Sequence, residues 1–182
     1  MKTKKIILLA AILPWTGCRV EISDDGYYLE YDDRPQRCEP QSYLKTVMLE
    51  RINTARAKPR QCGYQTFPSA PPLAWNSQLS NAAAAHAQDM AKHDYLAHLG
   101  TDSSRVETRV NNTGYQWQQL GENLGAGYQS PDNMINIWLN SSSDCANLMS
   151  PNYREIGAAC ADRNQLPSQY TWYWTLVLAT HQ

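Results

Sequence analysis

Past its first five residues this 182-residue chain has no cluster of lysine and arginine, and its formal net charge is only −1. With no basic patch to neutralise phosphates and no long-range field to draw in a polyanion, nucleic acid is set aside as a partner. No C-x-x-C pair occurs, so the cysteines lack the spacing of a structural zinc site. No G-x-S-x-G elbow, H-E-x-x-H helix or P-loop is present, which removes the chemistries those motifs carry. Gly121, Gly125 and Gly127 come nearest to a dinucleotide loop, but their spacing is wrong and no βαβ unit surrounds them. Their role is to let the backbone turn and approach closely around an acid. There are no internal repeats or low-complexity segments. The apolar run Ile6 to Leu13 is too short to cross a bilayer.

That run follows Met1-Lys2-Thr3-Lys4-Lys5, and together they have the shape of a secretory signal, so residues 1–17 are expected to be removed. Trp15-Thr16-Gly17-Cys18 resembles a bacterial lipobox, with Trp15 where that motif usually has leucine. The resemblance implies that Cys18 becomes the lipidated first residue of the mature chain, joined to the membrane by a diacylglyceryl group and a palmitate-type acyl chain. Two such signals hold stably where one chain binds only marginally. The expected location is the bacterial cell envelope. Arg19 stands where an acidic residue is associated with inner-membrane retention, which favours the outer membrane in a Gram-negative host. Removing the leader's three lysines takes the net charge from −1 to −4. Residues 18–37 carry Glu21, Asp24, Asp25, Glu30, Asp32 and Asp33 among few aliphatics and read as a solvated tether, spanning ~25 Å root-mean-square. Tyr27-Tyr28-Leu29 and Tyr31 could instead pair as a small strand.

Residues 38–182 suffice for one domain with a sizeable core. With Cys18 given to the lipid, Cys38, Cys62, Cys145 and Cys160 form an even set in an oxidising compartment, which reads as two disulfides of about 2–4 kcal/mol each. Three pairings are possible. The favoured one joins Cys38 to Cys62, bracketing the first helix, and Cys145 to Cys160, tying a loop to the next strand. Tyr43 or Leu44, Val47 or Met48, and Ile52 recur at helical spacing between Pro40 and Ala57, and Pro59 ends that helix. Phe67 to Pro72 is proline-rich loop. Asn76 caps a second helix through Lys92, with Leu79, Ala82, Ala83, His86, Met90 and His93 in one stripe. Ser104 and Glu107 fit a capping box for a short helix to Asn111. Ser130-Pro131-Asp132 opens another, running to Leu139 and burying Met134, Ile135, Ile137 and Trp138 in part. Residues 118–127 are extended, and Tyr153 to Ala161 and Tyr170 to Thr180 are strands, the last apolar on both faces and so central. The class is α+β: a three-layer α-β-α sandwich with a central, mainly antiparallel sheet.

Glu122 sits in a run otherwise made for burial, and a buried charge without a partner costs several kcal/mol or more. His98, near the end of the second helix, is the nearest partner. His86 reads as a satisfied core histidine and His93 as lying outside the pocket. Trp138, Trp172, Tyr173 and Trp174 read as core rather than as a groove for carbohydrate or peptide. Alternation puts Trp172 and Trp174 on one face of the last strand and Tyr173 on the other.

Several stretches in order resemble the CAP superfamily, also called SCP or PR-1-like. Leu49-Glu50-Arg51-Ile52-Asn53-Thr54-Ala55-Arg56 is similar to its first helix, and Leu73-Ala74-Trp75-Asn76 with Ala85-His86-Ala87-Gln88-Asp89-Met90 to its second. His98-Leu99-Gly100-Thr101-Asp102 resembles the loop of the first pocket histidine, and Gly121-Glu122-Asn123 that of the first pocket glutamate. Trp138-Leu139-Asn140-Ser141, Cys145-Ala146-Asn147-Leu148-Met149, Ile156-Gly157-Ala158-Ala159-Cys160 and Tyr173-Trp174-Thr175 resemble the bacterial branch. The resemblance implies the α-β-α fold and supports a Cys145–Cys160 bridge.

It also implies a pocket, which in many eukaryotic relatives holds two histidines and two glutamates and can bind a divalent metal. Here His98 and Glu122 are kept, while Ser141 falls on the second glutamate and Tyr173 on the second histidine. Where the bacterial variant has a histidine, this chain has Asp144. Neutral hydroxyls are poor ligands, so tight zinc is not expected. Any metal would be a weakly held divalent ion at His98 and Glu122, with Asp144 or His93 as a third ligand. The expected arrangement is a His98–Glu122 hydrogen bond completed by the Tyr173 hydroxyl and water.

Two functions follow. The favoured one is a non-enzymatic envelope module binding a small ligand, peptide or glycan. The other is a hydrolase with Glu122 as general base and His98 orienting water or a metal. Sterol binding, found in some eukaryotic members, needs an apolar loop that this chain does not supply.

Overall fold

The computed structural model describes residues 18–23, 26–31, 38, 41–163 and 167–182. The leader, residues 1–17, lies outside the described residues, as do 24, 25 and 32–37 of the tether. Within the tether, β1 (Cys18–Ser23) and β2 (Gly26–Tyr31) pair antiparallel with Cys18 opposite Tyr31. The strand reading of Tyr27 to Tyr31 is therefore the form that segment takes, in a two-stranded sheet of its own. Aromatic and β-branched residues in both arms favour pairing despite the acids around them. This hairpin belongs to one unit of the chain, residues 1–35, and residues 36–182 form the other.

In the larger unit the elements run α1 (Gln41–Arg56), β3 (Arg60–Cys62), β4 (Gln65–Phe67), β5 (Ala74–Trp75), α2 (Ser77–His93), α3 (Val106–Asn111), β6 (Trp117–Ala126), α4 (Pro131–Asn140), α5 (Ser142–Met149), β7 (Glu155–Asp162) and β8 (Trp172–His181). Four strands form the central sheet in the order β5-β7-β8-β6. Only the short β5–β7 contact is parallel; β7–β8 and β8–β6 are antiparallel.

Strand β8 is interior and divides the core between its faces. Trp174, Leu176 and Leu178 pack on Leu44, Met48 and Ile52 of α1, Met134, Ile135 and Trp138 of α4, and Leu148 of α5. Tyr173, Val177 and Ala179 pack on the α2 side, with Leu79, Ala83, Ala87 and Met90. Each large side chain so buried contributes about 1.5–3 kcal/mol. Helices on both faces of one sheet make the three-layer sandwich that the doubly apolar last strand predicts. Trp172 and Trp174 share the α1 side and Tyr173 the α2 side, as alternation requires.

Helix α2 is anchored to β7 at its first turn. The Asn76 side chain accepts from the backbone N–H of Gln78 at 2.9 Å and of Leu79 at 3.2 Å, and its amide donates to Glu155 Oε1 at 3.0 Å. Ser80 Oγ donates to the Ala158 carbonyl at 3.0 Å. The approach is so close that a Cβ at Gly157 would lie 2.0 Å from Ser80 N and 2.4 Å from Leu79 C. Arg56, fully buried, clips the far side. It donates to the carbonyls of Pro71 at 2.8 Å, Leu148 at 2.6 Å and Ser150 at 2.9 Å, and burial lowers its pKa to about 10.

Three local expectations need correction. The disulfides are Cys38–Cys160, with Cα atoms 5.7 Å apart, and Cys62–Cys145, at 5.4 Å. A 16-residue α1 is ~24 Å long and stands between Cys38 and Cys62, and β3, which carries Cys62, is tied to α5. Cys62 instead joins a small cluster with Cys145 and Met149 of α5. The capping box at α3 does not form: the helix begins one residue later, Arg105 caps it without a side-chain bond, and Ser104 is engaged by Arg109. Ile137 is exposed on the outer side of α4. The hairpin β3–β4 and the helix α5 are additions, and Ser141 caps α5 by accepting from Asp144 N at 3.4 Å.

Because the α2 backbone occupies the space beside Gly157, Gly157→Ala is expected to destabilise the protein by at least about 2 kcal/mol. Urea unfolding of the variant with both disulfides intact measures this, and an unchanged midpoint would contradict the close approach.

Candidate functional site

Glu122 lies on β6 opposite Val177 of β8 and on the same face as Leu120 and Leu124, toward α2 and α3. Its neighbour Asn123 points the other way, donating to the Asp144 carbonyl at 3.1 Å and accepting from Asn147 at 2.9 Å, which fixes α5.

The loop that carries His98 is held from α2. The His86 ring, neutral because burial lowers its pKa, donates through Nε2 to the Ala97 carbonyl at 2.9 Å and meets Tyr95 edge-on. Asp89 accepts from Thr101 N at 2.9 Å, Thr101 Oγ1 at 2.6 Å and His93 Nδ1 at 2.9 Å, and from the Tyr95 hydroxyl. Burial alone would push the Asp89 carboxyl up, but these bonds outweigh it and hold the group well below the usual carboxylate range. His86 is thus a core histidine as expected, but it is satisfied only at Nε2: its Nδ1 is buried with no hydrogen-bond partner among the described residues. His93 is committed to Asp89, apart from His98.

His98 Nδ1 lies 2.7 Å from Glu122 Oε1, and Arg109 Nη2 donates to Glu122 Oε2 at 2.7 Å. Arg109 also donates to the Ser104 carbonyl at 2.9 Å, Ser104 Oγ at 3.2 Å and the His98 carbonyl at 3.2 Å. The Glu122 and Arg109 side chains are 3% and 5% exposed, against 64% for His98. The imidazole therefore stands in solvent with one nitrogen fixed from below. Beside it opens a shallow cleft of about 220 Å³, lined also by Arg105, Val106, Glu107 and Leu120.

Of the four pocket positions, the structure brings His98 and Glu122 together and gives the other two side chains different partners. Tyr173 is four residues along β8 from Val177, ~13 Å at the rise of a strand. Its hydroxyl donates to Asp94 Oδ1 at 2.5 Å. The partner expected from Tyr173 is instead Arg109, because α3 lies over β6 while Tyr173 faces the end of α2. Ser141 is spent on the α5 cap. Asp144, half-buried, has its carboxyl pushed up by burial, with a Ser141 hydrogen bond and the nearby His98 opposing. Burial and the Asp94 hydrogen bond push the Tyr173 hydroxyl up to about 12, and the same bond holds Asp94 below its usual range.

The sequence does carry a signal for Arg109: Val106, Arg109 and Val110 stand at i, i+3 and i+4 on α3, so an arginine shares the inward stripe. The donor set does not fit the divalent metal of the two-histidine, two-glutamate pocket. Both Glu122 oxygens are engaged, and the Tyr173 hydroxyl is given to Asp94. Among the described residues no three His, Cys, Asp or Glu side chains gather to hold a metal ion.

An α-β-α sandwich with a histidine–glutamate pair over its edge strand defines a CAP-type domain. Residues 49–178 match the model of the Cysteine-rich secretory protein family, CAP, and the chain belongs to that family. Among solved structures it resembles an outer surface protein from Borrelia burgdorferi, with TM-score 0.64, 14% identity, and coverage of 79% of this chain and 97% of that one. It also resembles an extracellular protein containing an SCP domain from Bacillus anthracis, with TM-score 0.61, 20% identity, and coverage of 76% and 41%. It is 26% identical over 98 residues to the uncharacterized protein YkwD of Bacillus subtilis, 54% of this chain and 38% of that protein. The chain spans less than two fifths of the length of the curated relatives it matches.

Arg109→Met strands a buried carboxylate and is expected to cost about 3–5 kcal/mol. His98→Ala removes an exposed partner and should cost less than about 1 kcal/mol. Chemical unfolding of the two variants side by side checks the ranking. The Tyr173 hydroxyl sets an alkaline limit as well. Above its ordinary value of 10 the unfolded chain releases this proton while the folded chain keeps it, so stability falls from there to about 12. Tyr173→Phe should lack that component, and thermal melts between about pH 9 and 12 would reveal it as a convergence of the two curves.

Proposed function

We propose that this CAP domain is exported, carried on an acyl anchor at Cys18 in a bacterial envelope, and binds a ligand beside His98 without turning it over. The observation behind this reading is the state of Glu122. A carboxylate that accepts from an imidazole at 2.7 Å and a buried guanidinium at 2.7 Å has both oxygens committed. To act as a general base it would have to break a desolvated ion pair, so its work is to position the histidine. His98 then offers one exposed ring nitrogen at the mouth of the cleft, suited to hydrogen-bonding a small ligand, a peptide or a glycan. The hairpin β1–β2, with Cys18 as its first residue, would follow the anchor directly along the chain. Arg19 favours the outer membrane if the host is Gram-negative.

A hydrolytic reading draws on one feature: an imidazole held by a carboxylate at Nδ1 and open at Nε2 is also how an oriented base is built. The two are separated by incubating the protein with peptides, glycans and lipids while following both occupancy and product. Saturable binding without product, weakened by His98→Ala at unchanged melting temperature, is the expected result. Product formed by the unaltered chain and lost in His98→Ala would establish the hydrolase instead. For the anchor, radiolabelled palmitate should be incorporated by the unaltered chain and not by Cys18→Ser. Equal labelling of both would refute lipidation at that residue.

A further inference from the structure

A second cleft in the domain is larger than the one beside His98. It lies against the α1–α4 layer, on the other side of the sheet, has a volume of about 570 Å³, and is lined by Arg51, Thr54, Lys58, Arg60, Gln61 and Asn136 among others. That is within the ~300–1,000 Å³ usual for small-molecule sites.

Its charge is at odds with the rest of the chain. The sequence carries 17 acids against 16 bases, yet three cations line this one cavity and no carboxylate does. Arg51 has a partner, Asp132, at 3.2 Å, and both side chains are roughly half exposed. Neither Lys58 nor Arg60 forms an ion pair among the described residues. A cation just beyond the last turn of α1 would by itself complement the helix dipole, which accounts for Lys58. It does not account for Arg60, which sits on β3 and is only half-exposed. The Cys62–Cys145 bridge two residues on ties that strand to α5, so Arg60 is held on a fixed element and not on a free loop.

From this we infer a second binding site, in which Arg51, Lys58 and Arg60 hold the phosphate of a phosphorylated polyol and Thr54, Gln61 and Asn136 face its hydroxyls. Guanidinium groups match phosphate oxygens in a fork, and a lysine adds a point charge. Neutral amide and hydroxyl side chains beside them suit an alcohol-rich remainder over a second charge. The same chemistry is presented by a free polyol phosphate and by a glycerophospholipid headgroup.

The test uses the full chain carrying Cys18→Ser, so that no acyl anchor contributes. Glycerol 3-phosphate is titrated at low salt while amide resonances are followed, with glycerol as the uncharged comparison. Co-sedimentation is measured with phosphatidylglycerol vesicles and with phosphatidylcholine vesicles. The expected result is saturable shifts confined to residues 51–61 and 136–139 with glycerol 3-phosphate and none with glycerol, or selective binding to phosphatidylglycerol. The first identifies a soluble ester and the second a headgroup. Lys58→Ser with Arg60→Ser should weaken either by about tenfold or more, whereas Lys45→Ser, the same type of charge lost elsewhere on α1, should change little. His98→Ala should leave this binding intact, so that failure of the site beside His98 and failure of this one are told apart. Absence of both kinds of binding, or binding that the double variant leaves unchanged, would overturn the assignment.

Discussion

The Glu122 carboxylate, 3% exposed at the edge of the sheet, sets the constraint that the surrounding structure answers. A desolvated charge costs several kcal/mol unless it is paired and hydrogen-bonded, and β6 alone offers no donor on that face. Helix α3 has only six residues, too few to persist on propensity. It is held because Val106 and Val110 join the α2-side core while Arg109 reaches Glu122, Ser104 and the His98 carbonyl. One guanidinium thereby closes the buried charge and fixes the loop from which the exposed imidazole projects.

On the opposite layer the problem is different. There α1, α4 and α5 cover large apolar side chains of β7 and β8, and what needs fixing is the arrangement of three helices and a proline-rich loop. Arg56 does this with backbone carbonyls alone, and the Cys62–Cys145 bridge ties the β3–β4 hairpin to α5. The other bridge, Cys38–Cys160, ties the approach to α1 to the end of β7. Together they join parts distant in sequence, which is why reading each cysteine with its nearest neighbour fails.

How far the sequence speaks depends on whether the signal is periodic or pairwise. The stripe of α2, the Asn76 cap, the Pro131 start and the two-faced apolarity of β8 are local patterns, and each appears where it is written. The His98–Glu122 contact is legible from the cost of a buried acid together with the resemblance to the CAP superfamily. Arg109 has the right spacing, but only the packing of α3 against β6 makes it the partner. The cations of the α1 cleft stand at 51, 58 and 60, and the short basic stretch Arg56-Ala57-Lys58-Pro59-Arg60 does not show by itself which of them share a cavity, since Arg56 is buried on backbone carbonyls. A turn at Pro59 and a strand that doubles back bring them to one cavity.

The fate of positions 141 and 173 bears on why the pocket is only half of what the family resemblance implies. A glutamate at 141 could place its carboxylate in the pocket, yet here the serine hydroxyl caps α5, a task a longer side chain performs poorly. At 173 the resemblance implies a histidine, yet here a phenol reaches Asp94, a residue held at φ 58° where α2 ends. Few non-glycine residues adopt that conformation without a compensating contact, and Asp94 gains three, from the Tyr173 hydroxyl, the Gln169 backbone and Arg163. Both positions therefore carry structural work: one starts the helix that braces β6 from the edge, the other closes the helix that braces β8 from above. Restoring a metal-binding set would remove a cap and a clamp while leaving Glu122 still bound to Arg109. Three changes would be needed together, and each alone weakens the fold.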